Sequence, residues 1–300
     1  MRRLSLGLLL ALVLTCLPAG VSSAAVQVRK AIRYGNGRVE TPAAGRIPLL
    51  LDLYRPDKRA RRPRAVVIVI HGGGFRSGTR EDTEAVHIAE GLVSPGVVAV
   101  SIDYRLSGER PVLSDRVAPL LSHVLPAPGR PPDENFSRAV AAAVDDTLKT
   151  IGFLRHRAKQ LHIDPTRIGL VGVSAGAITS DHVAYVLDDY GIKQPTIRFV
   201  GSLWGGILIG APDGGSPSSQ LDKGEAALFA SHGDRDSTLP VAMSDELVAR
   251  AADQHVPHEY HRIAGGGHGP PRFFTEPVSG DETAFDRLLD FARAKLRRKR

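Results

Sequence analysis

Short runs of apolar, β-branched residues alternate along this chain with longer stretches in which apolar positions recur at helical spacing. Ala65-Val66-Val67-Ile68-Val69-Ile70 is apolar throughout, as in a strand covered on both faces. Val97 to Asp103, Arg167 to Val173, Ile197 to Trp204, Ala226 to His232 and His258 to Ile263 read as further strands. Helical spacing marks Glu81 to Leu92, Ser137 to Leu161, Ala175 to Tyr190, Val241 to Gln254 and Glu282 to Leu296. This alternation predicts an α/β fold, a mostly parallel central sheet with helices on both faces. Val26 to Tyr34 and Leu49 to Tyr54, joined by a turn-rich stretch around Gly35-Asn36-Gly37, predict an antiparallel pair at the sheet edge. No repeat and no linker divides the sequence, so 25–300 reads as one domain.

Residues 107–135 depart from the pattern. Pro111, Pro119, Pro126, Pro128, Pro131 and Pro132 alternate there with apolar Val112, Leu113, Leu120, Leu121, Val124 and Leu125. The stretch is too apolar for a disordered linker; a lid or binding wall, and a structural excursion packed on the surface, both fit it.

At the N-terminus, Arg2 and Arg3 precede an apolar run from Leu4 to Leu14, then Pro18, Gly20 and the small residues Ser22-Ser23-Ala24. This is the order of a cleaved signal peptide over 1–24, giving a secreted or periplasmic chain that begins at Ala25. The run is too short for a stable membrane anchor. Lipidation at Cys16 is disfavoured by Thr15 before it. Cys16 is also the only cysteine, so the cleaved chain forms no disulfide.

The net charge of +7 falls largely in Arg2, Arg3 and the terminal Lys295, Arg297, Arg298, Lys299 and Arg300. No basic face interleaved with aromatics appears, which argues against a nucleic-acid partner. Histidines do not recur at i and i+4 on a helix and no cysteine pairs exist, so neither metal nor cofactor is expected. The oligomeric state is left open.

Candidate chemistry centres on Gly172-Val173-Ser174-Ala175-Gly176, directly after one predicted strand and directly before a helix. A sharp turn there exposes the Ser174 hydroxyl as a nucleophile. A serine needs a base in contact, and the base needs an acid to orient it. His268, in the glycine-rich Gly265-Gly266-Gly267-His268-Gly269 between the last strand and the last helix, is the candidate base. His232, His255, His258 and His261 lie in or beside strands or on a helix surface, and His232 is expected to shape the acid's loop. Asp236, in His232-Gly233-Asp234-Arg235-Asp236, is the candidate acid, with Asp234 the alternative as a turn-forming aspartate. His71-Gly72-Gly73-Gly74-Phe75 follows the buried strand and offers the N–H groups of Gly73 and Gly74, with that of Ala175, as an oxyanion hole. Phe75 and Trp204 are candidate substrate contacts.

These residues resemble the α/β-hydrolase superfamily, in its esterase and lipase branch. The resemblance extends to Leu51-Asp52-Leu53-Tyr54-Arg55-Pro56, Asp103-Tyr104-Arg105-Leu106 and Asp164-Pro165-Thr166-Arg167-Ile168. It implies an α/β-hydrolase fold, a small-molecule ester substrate cleaved through an acyl-enzyme, and a structural role for Asp146. The sequence departs from the hormone-sensitive-lipase-like group: Val173 stands where that group carries aspartate, and the acid lies in a His-Gly-x-x-Asp segment. In this it is similar to feruloyl- and acetyl-esterase-like and prolyl-oligopeptidase-like hydrolases, which keeps a peptidase or amidase open as the alternative activity. A non-catalytic binding module on the same fold predicts a broken triad position, and none is broken.

Overall fold

The computed structural model describes residues 25–298, apart from 42 and 59. The expected signal segment, Cys16 and the last two basic residues lie outside the described residues. Among the described residues, no helix is long and apolar enough to cross a membrane.

Eight strands form one sheet in the order β1-β2-β4-β3-β5-β6-β7-β8. They are β1 (Val26–Val39), β2 (Gly45–Pro56), β3 (Arg64–Ile70), β4 (Val97–Ile102), β5 (Ile163–Val173), β6 (Phe199–Leu203), β7 (Ala227–Gly233) and β8 (His258–Ile263). β1 with β2 and β2 with β4 are antiparallel, and every later pairing is parallel. The mostly parallel sheet is the one that the alternating pattern predicts, and its strand order is that of the α/β-hydrolase fold that the resemblance implies.

The uniformly apolar β3 is explained by its two sides. Val66, Ile68 and Ile70 face a core shared with α2 (Glu134–His156), α4 (Ala175–Tyr185) and α5 (Ala242–Asp253). Ala65, Val67 and Val69 face a second core shared with α1 (Thr83–Leu92) and α7 (Ala284–Lys295). Alternate residues of a strand point to opposite faces, so a central strand between two helical layers has no position to spare for a polar side chain.

The opening hairpin differs from expectation in its turn. β1 runs unbroken through Gly35-Asn36-Gly37, pairing Gly37 with Ile47, and the reversal comes after Val39. Gly37 serves a close approach instead: a Cβ there would sit 2.3 Å from Arg105 Cδ. The helix expected from Ser137 begins earlier, where the Asp133 carboxylate caps it by accepting from Phe136 N. The expected Ser137 to Leu161 helix is broken at Arg157, leaving the short α3 (Ala158–Leu161). The last helix likewise starts later, at Ala284, capped reciprocally by Thr283 and Asp286. Before it lie α6 (Pro271–Thr275) and the small ribbon β9 (Pro277–Ser279) with β10 (Glu282–Thr283), which the sequence pattern did not mark.

Segment 107–135 folds as helical turns at Ser107–Glu109 and Ala118–His123. Val117 and Leu120 are buried in the core. The segment is tied to α2 by Arg116 and Ser114 on Asp145, and to the stretch after β6 by Leu125 N donating to Leu208 O.

Candidate active site

In a parallel sheet the loops leaving the strands' C-terminal ends share one edge. The loops after β3, β5, β6, β7 and β8 carry His71 to Phe75, Ser174, Trp204, Asp236 and His268 respectively. Ser174 sits between β5 and α4 with φ of 54° and ψ of −116°, and its N–H donates to Leu203 O at 2.8 Å. The flanking glycines are what allow so sharp a turn. A Cβ on Gly172 would stand 2.0 Å from Gly176 O, and one on Gly176 would stand 2.0 Å from Ile70 O.

Ser174 Oγ lies 2.9 Å from His268 Nε2, and His268 Nδ1 lies 2.6 Å from Asp236 Oδ2. The three residues are thus brought together in the order expected, with about a fifth of the His268 side chain exposed and none of Asp236. Asp236 Oδ1 accepts from the N–H groups of Thr238 and Leu239 at 2.7 and 2.9 Å. Burial pushes the Asp236 carboxyl up. The Leu239 N–H, the His268 ring and the Thr238 N–H outweigh it, so the carboxyl titrates below its ordinary value and is ionised near neutrality. Asp234, the alternative acid, is exposed and, in place of the expected local turn, ties its loop to the one after β8 by accepting from Gly265 N at 2.7 Å.

Gly73 and Gly74 have φ of 99° and 59°. Among the described residues, the N–H groups of Gly73, Gly74 and Ala175 donate to no backbone acceptor. The loop that carries the two glycines is held from beneath. Tyr104 stacks on His71 with ring centres 4.3 Å apart, and its hydroxyl lies 3.1 Å from both His71 O and Gly72 O. Burial lowers the His71 ring's basicity and keeps it neutral.

Phe75 is placed differently from the expected substrate contact. Its ring is 1% exposed and packs edge-on against Tyr104 and Phe136, so it anchors the loop in the core. Its carbonyl accepts from Ser107 N at 2.8 Å, and Arg76 pairs with Asp133 at 3.2 Å. Segment 107–135 therefore braces the glycine loop at both of its ends. Trp204, with φ of 55°, lines a cavity of about 240 Å³ with Ile263, Gly267, His268, Arg272 and Phe273. No residue of 107–135 lines that cavity.

Of the buried polar groups behind the site, Asp146 and Arg105 were marked in the sequence only through the resemblance, and Asp145, Asp181 and His182 were not marked at all. Asp146 and Asp145 clamp Arg105, whose Nε and Nη2 each lie 2.8 Å from an Asp146 oxygen. Asp181 on α4 accepts from Ser202 Oγ at 2.8 Å and Gly206 N at 3.0 Å, and its neighbour His182 accepts from Leu208 N at 2.9 Å. Both hold the stretch after β6 against α4, the helix that follows Ser174. Burial raises the Asp181 carboxyl to about 7 and lowers His182 to about 3. Among the described residues no cluster of side chains suited to a metal ion is found.

The BD-FAE family profile matches residues 51–115 and 135–200, on either side of most of the bracing segment. Carboxylesterase NlhH of Mycobacterium tuberculosis is 28% identical over 126 residues, covering 42% of this chain and 30% of its own. Acetylcholinesterase-1 of Trittame loki is 25% identical over 256 residues, covering 82% of this chain and 41% of its own. The chain spans less than half the length of the curated relatives it matches. The propionate-bound structure of Thermogutta terrifontis esterase 2 superposes with a TM-score of 0.60 at 21% identity, covering 93% of this chain and 95% of that one. The structural likeness shows the α/β-hydrolase fold, and the sequence is similar over part of its length to the BD-FAE profile and to proteins that include carboxylesterases.

Proposed function

We propose that this protein is a serine hydrolase that cleaves carboxylic esters through an acyl-enzyme, with Ser174 as nucleophile, His268 as base and Asp236 as acid. The observation that carries this reading is the unbroken chain of contacts from Ser174 Oγ through both nitrogens of His268 to the buried Asp236 carboxylate. Ser174 Oγ passes its proton to His268 Nε2 and attacks the ester carbonyl carbon. Asp236 steadies the imidazolium, and the N–H groups of Gly73, Gly74 and Ala175 take the negative charge on the carbonyl oxygen. His268 then protonates the leaving alkoxide, and the C–O bond breaks. A water molecule, giving its proton to the same Nε2, attacks the acyl-enzyme and restores Ser174.

Short acyl groups suit the cavity of about 240 Å³ beside His268. The structural neighbour is described in propionate- and butyrate-bound forms, which is in keeping with that size. Export through cleavage after Ala24 completes the reading; a mature N-terminus at Ala25 in material secreted by an expressing host would bear it out.

A fluorophosphonate probe should label Ser174 in the wild-type chain. Ser174→Ala should abolish labelling and reduce p-nitrophenyl acetate turnover by at least about 10⁴-fold. An unlabelled wild type, or undiminished turnover in a folded Ser174→Ala, defeats the proposal. Faster turnover of p-nitroanilides than of the matching esters would replace the esterase by an amidase.

A further inference from the structure

Asp236 Oδ2 meets two imidazoles at once. His268 Nδ1 stands 2.6 Å away and His232 Nε2 stands 3.0 Å away. His232 is the penultimate residue of β7 and is fully buried. The same Nε2 is 3.1 Å from the Leu239 carbonyl oxygen. Both of its neighbours are acceptors, so the ring proton belongs on Nε2. Ser244 Oγ on α5 has two acceptors for its one hydrogen, His232 Nδ1 at 2.7 Å and Gly205 O at 3.3 Å, and the assignment that leaves Nδ1 without a proton gives the hydrogen to the nearer nitrogen. The ionisable groups whose charges reach this ring are Asp236 and His268.

We propose that His232 is a positioning residue for the candidate reaction: as a neutral Nε2–H donor it fixes the Asp236 carboxylate and tunes how strongly Oδ2 holds His268. The inference rests on the ester-hydrolase reading above. Two backbone N–H groups on Oδ1 and two imidazole N–H groups on Oδ2 fill the acceptor capacity of a carboxylate, which leaves it no freedom to rotate. The chemical type of the second donor matters as much as its place. A lysine or arginine there would cancel the charge that must stabilise the His268 imidazolium. A neutral imidazole orients the carboxylate and leaves its charge in force, and burial, which opposes protonation of His232, keeps it neutral. Without this donor, Oδ2 turns its whole basicity on His268 and the imidazolium is stabilised in the resting enzyme.

The test compares kcat and KM for p-nitrophenyl acetate against pH in the full chain, in His232→Leu and in His232→Gln, whose amide restores a donor near Nε2. His232→Leu should lower kcat by about 10- to 100-fold with KM little changed. It should also move the acidic limb of the kcat/KM profile upward by about one pH unit. His232→Gln should recover most of the rate and return the limb to its wild-type position. A rate loss shared by both variants, with the limb unmoved in either, would mean that His232 is merely structural and overturns the proposal. A measurement on the unaltered protein decides the matter if His232→Leu does not fold. ¹⁵N chemical shifts of the His232 ring should show Nε2 protonated and Nδ1 bare from pH 5 to pH 8; the opposite tautomer, or a charged ring, overturns it. Absent ester turnover and absent Ser174 labelling in the wild type would instead defeat the ester-hydrolase reading, and the ring's tautomer would still be read independently.

Discussion

Asp146 and Asp236 both have side chains wholly sealed from solvent, yet one is neutralised by a guanidinium and the other is surrounded by neutral donors and a half-turned-out histidine. Arg105 grips Asp146 with two side-chain nitrogens and its backbone N–H, and Lys149 adds a fourth contact at 3.0 Å. The spare nitrogen of Arg105 reaches the carbonyls of Arg38 and Val112, so the cluster joins β1, α2 and the bracing segment. Its charges are cancelled and its donors are consumed. Asp236 is held as firmly, but its charge is cancelled by no permanent cation, and the line of contacts continues outward to a reachable hydroxyl. A buried charge that is fully compensated fastens the fold, whereas one that is oriented and left uncompensated is able to stabilise a charge that appears only during a reaction.

The sharpest way to break the comparison is at Asp236. Asp236→Asn should lower kcat by about 10³- to 10⁴-fold, because it removes the charge and favours the wrong His268 tautomer. Its thermal midpoint should fall by only a few degrees, since the amide oxygen still accepts from Thr238 and Leu239 while the amide nitrogen meets the His232 Nε2–H. A steady-state assay beside a melting curve reads both; a large fall in the midpoint with modest loss of rate would put Asp236 in the same class as Asp146.

Asp146→Ala should do the reverse. It leaves the Arg105 guanidinium with Asp145 as its one carboxylate partner beside the Arg38 and Val112 carbonyls, at a cost of about 3 kcal/mol. Loss of the midpoint by about 10 °C follows for a chain of this size. Once that loss is allowed for by assaying well below the midpoint, ester turnover should stay within about threefold of wild type. Turnover lost in full at such a temperature would show the brace acting on the oxyanion loop directly.

The smallest effect sharpens the contrast at a third buried carboxylate, Asp181, which has donors on one oxygen and no cation at all. Folding raises this group to about 7 from an ordinary value near 4. Its contribution to stability is therefore fully present in acid and is lost as pH rises from about 4 through about 7. Asp181→Asn should narrow the difference between midpoints measured at pH 5 and at pH 8 by a few degrees. An unchanged difference would place the titration elsewhere.

Much of the candidate site was legible because it is written in local backbone demands. Gly172 and Gly176 are needed where a Cβ would strike a neighbouring carbonyl, and the glycines before Phe75 and around His268 mark loops at strand ends. Its place in the loop favours Asp236 over Asp234, but the turn-forming role expected of Asp234 falls to Asp236: that carboxylate itself accepts from Thr238 and Leu239, while Asp234 reaches across to Gly265. The misread turn at Gly35-Asn36-Gly37 shows the limit of such reasoning. A glycine that makes a turn and a glycine that admits a distant arginine look alike until Arg105 is seen lying on Gly37. Phe75 was similarly ambiguous, since an aromatic beside an oxyanion loop either meets the substrate or anchors the loop.

The sequence by itself determined the alternation of strands and helices, the strand buried on both faces, the elbow at Ser174 and the order in which the candidate residues Ser174, Asp236 and His268 follow one another. Each of these depends on neighbours a few residues away, or on a period of two or 3.6 that the chain displays directly. Only the tertiary structure decided that His232 shares an oxygen with His268 and that Asp146 closes on Arg105. It also settled that segment 107–135 supports the glycine loop from the side. Those contacts join residues from separate strands and helices. Their energies depend on burial and on partners within about 3 Å, which no local pattern encodes.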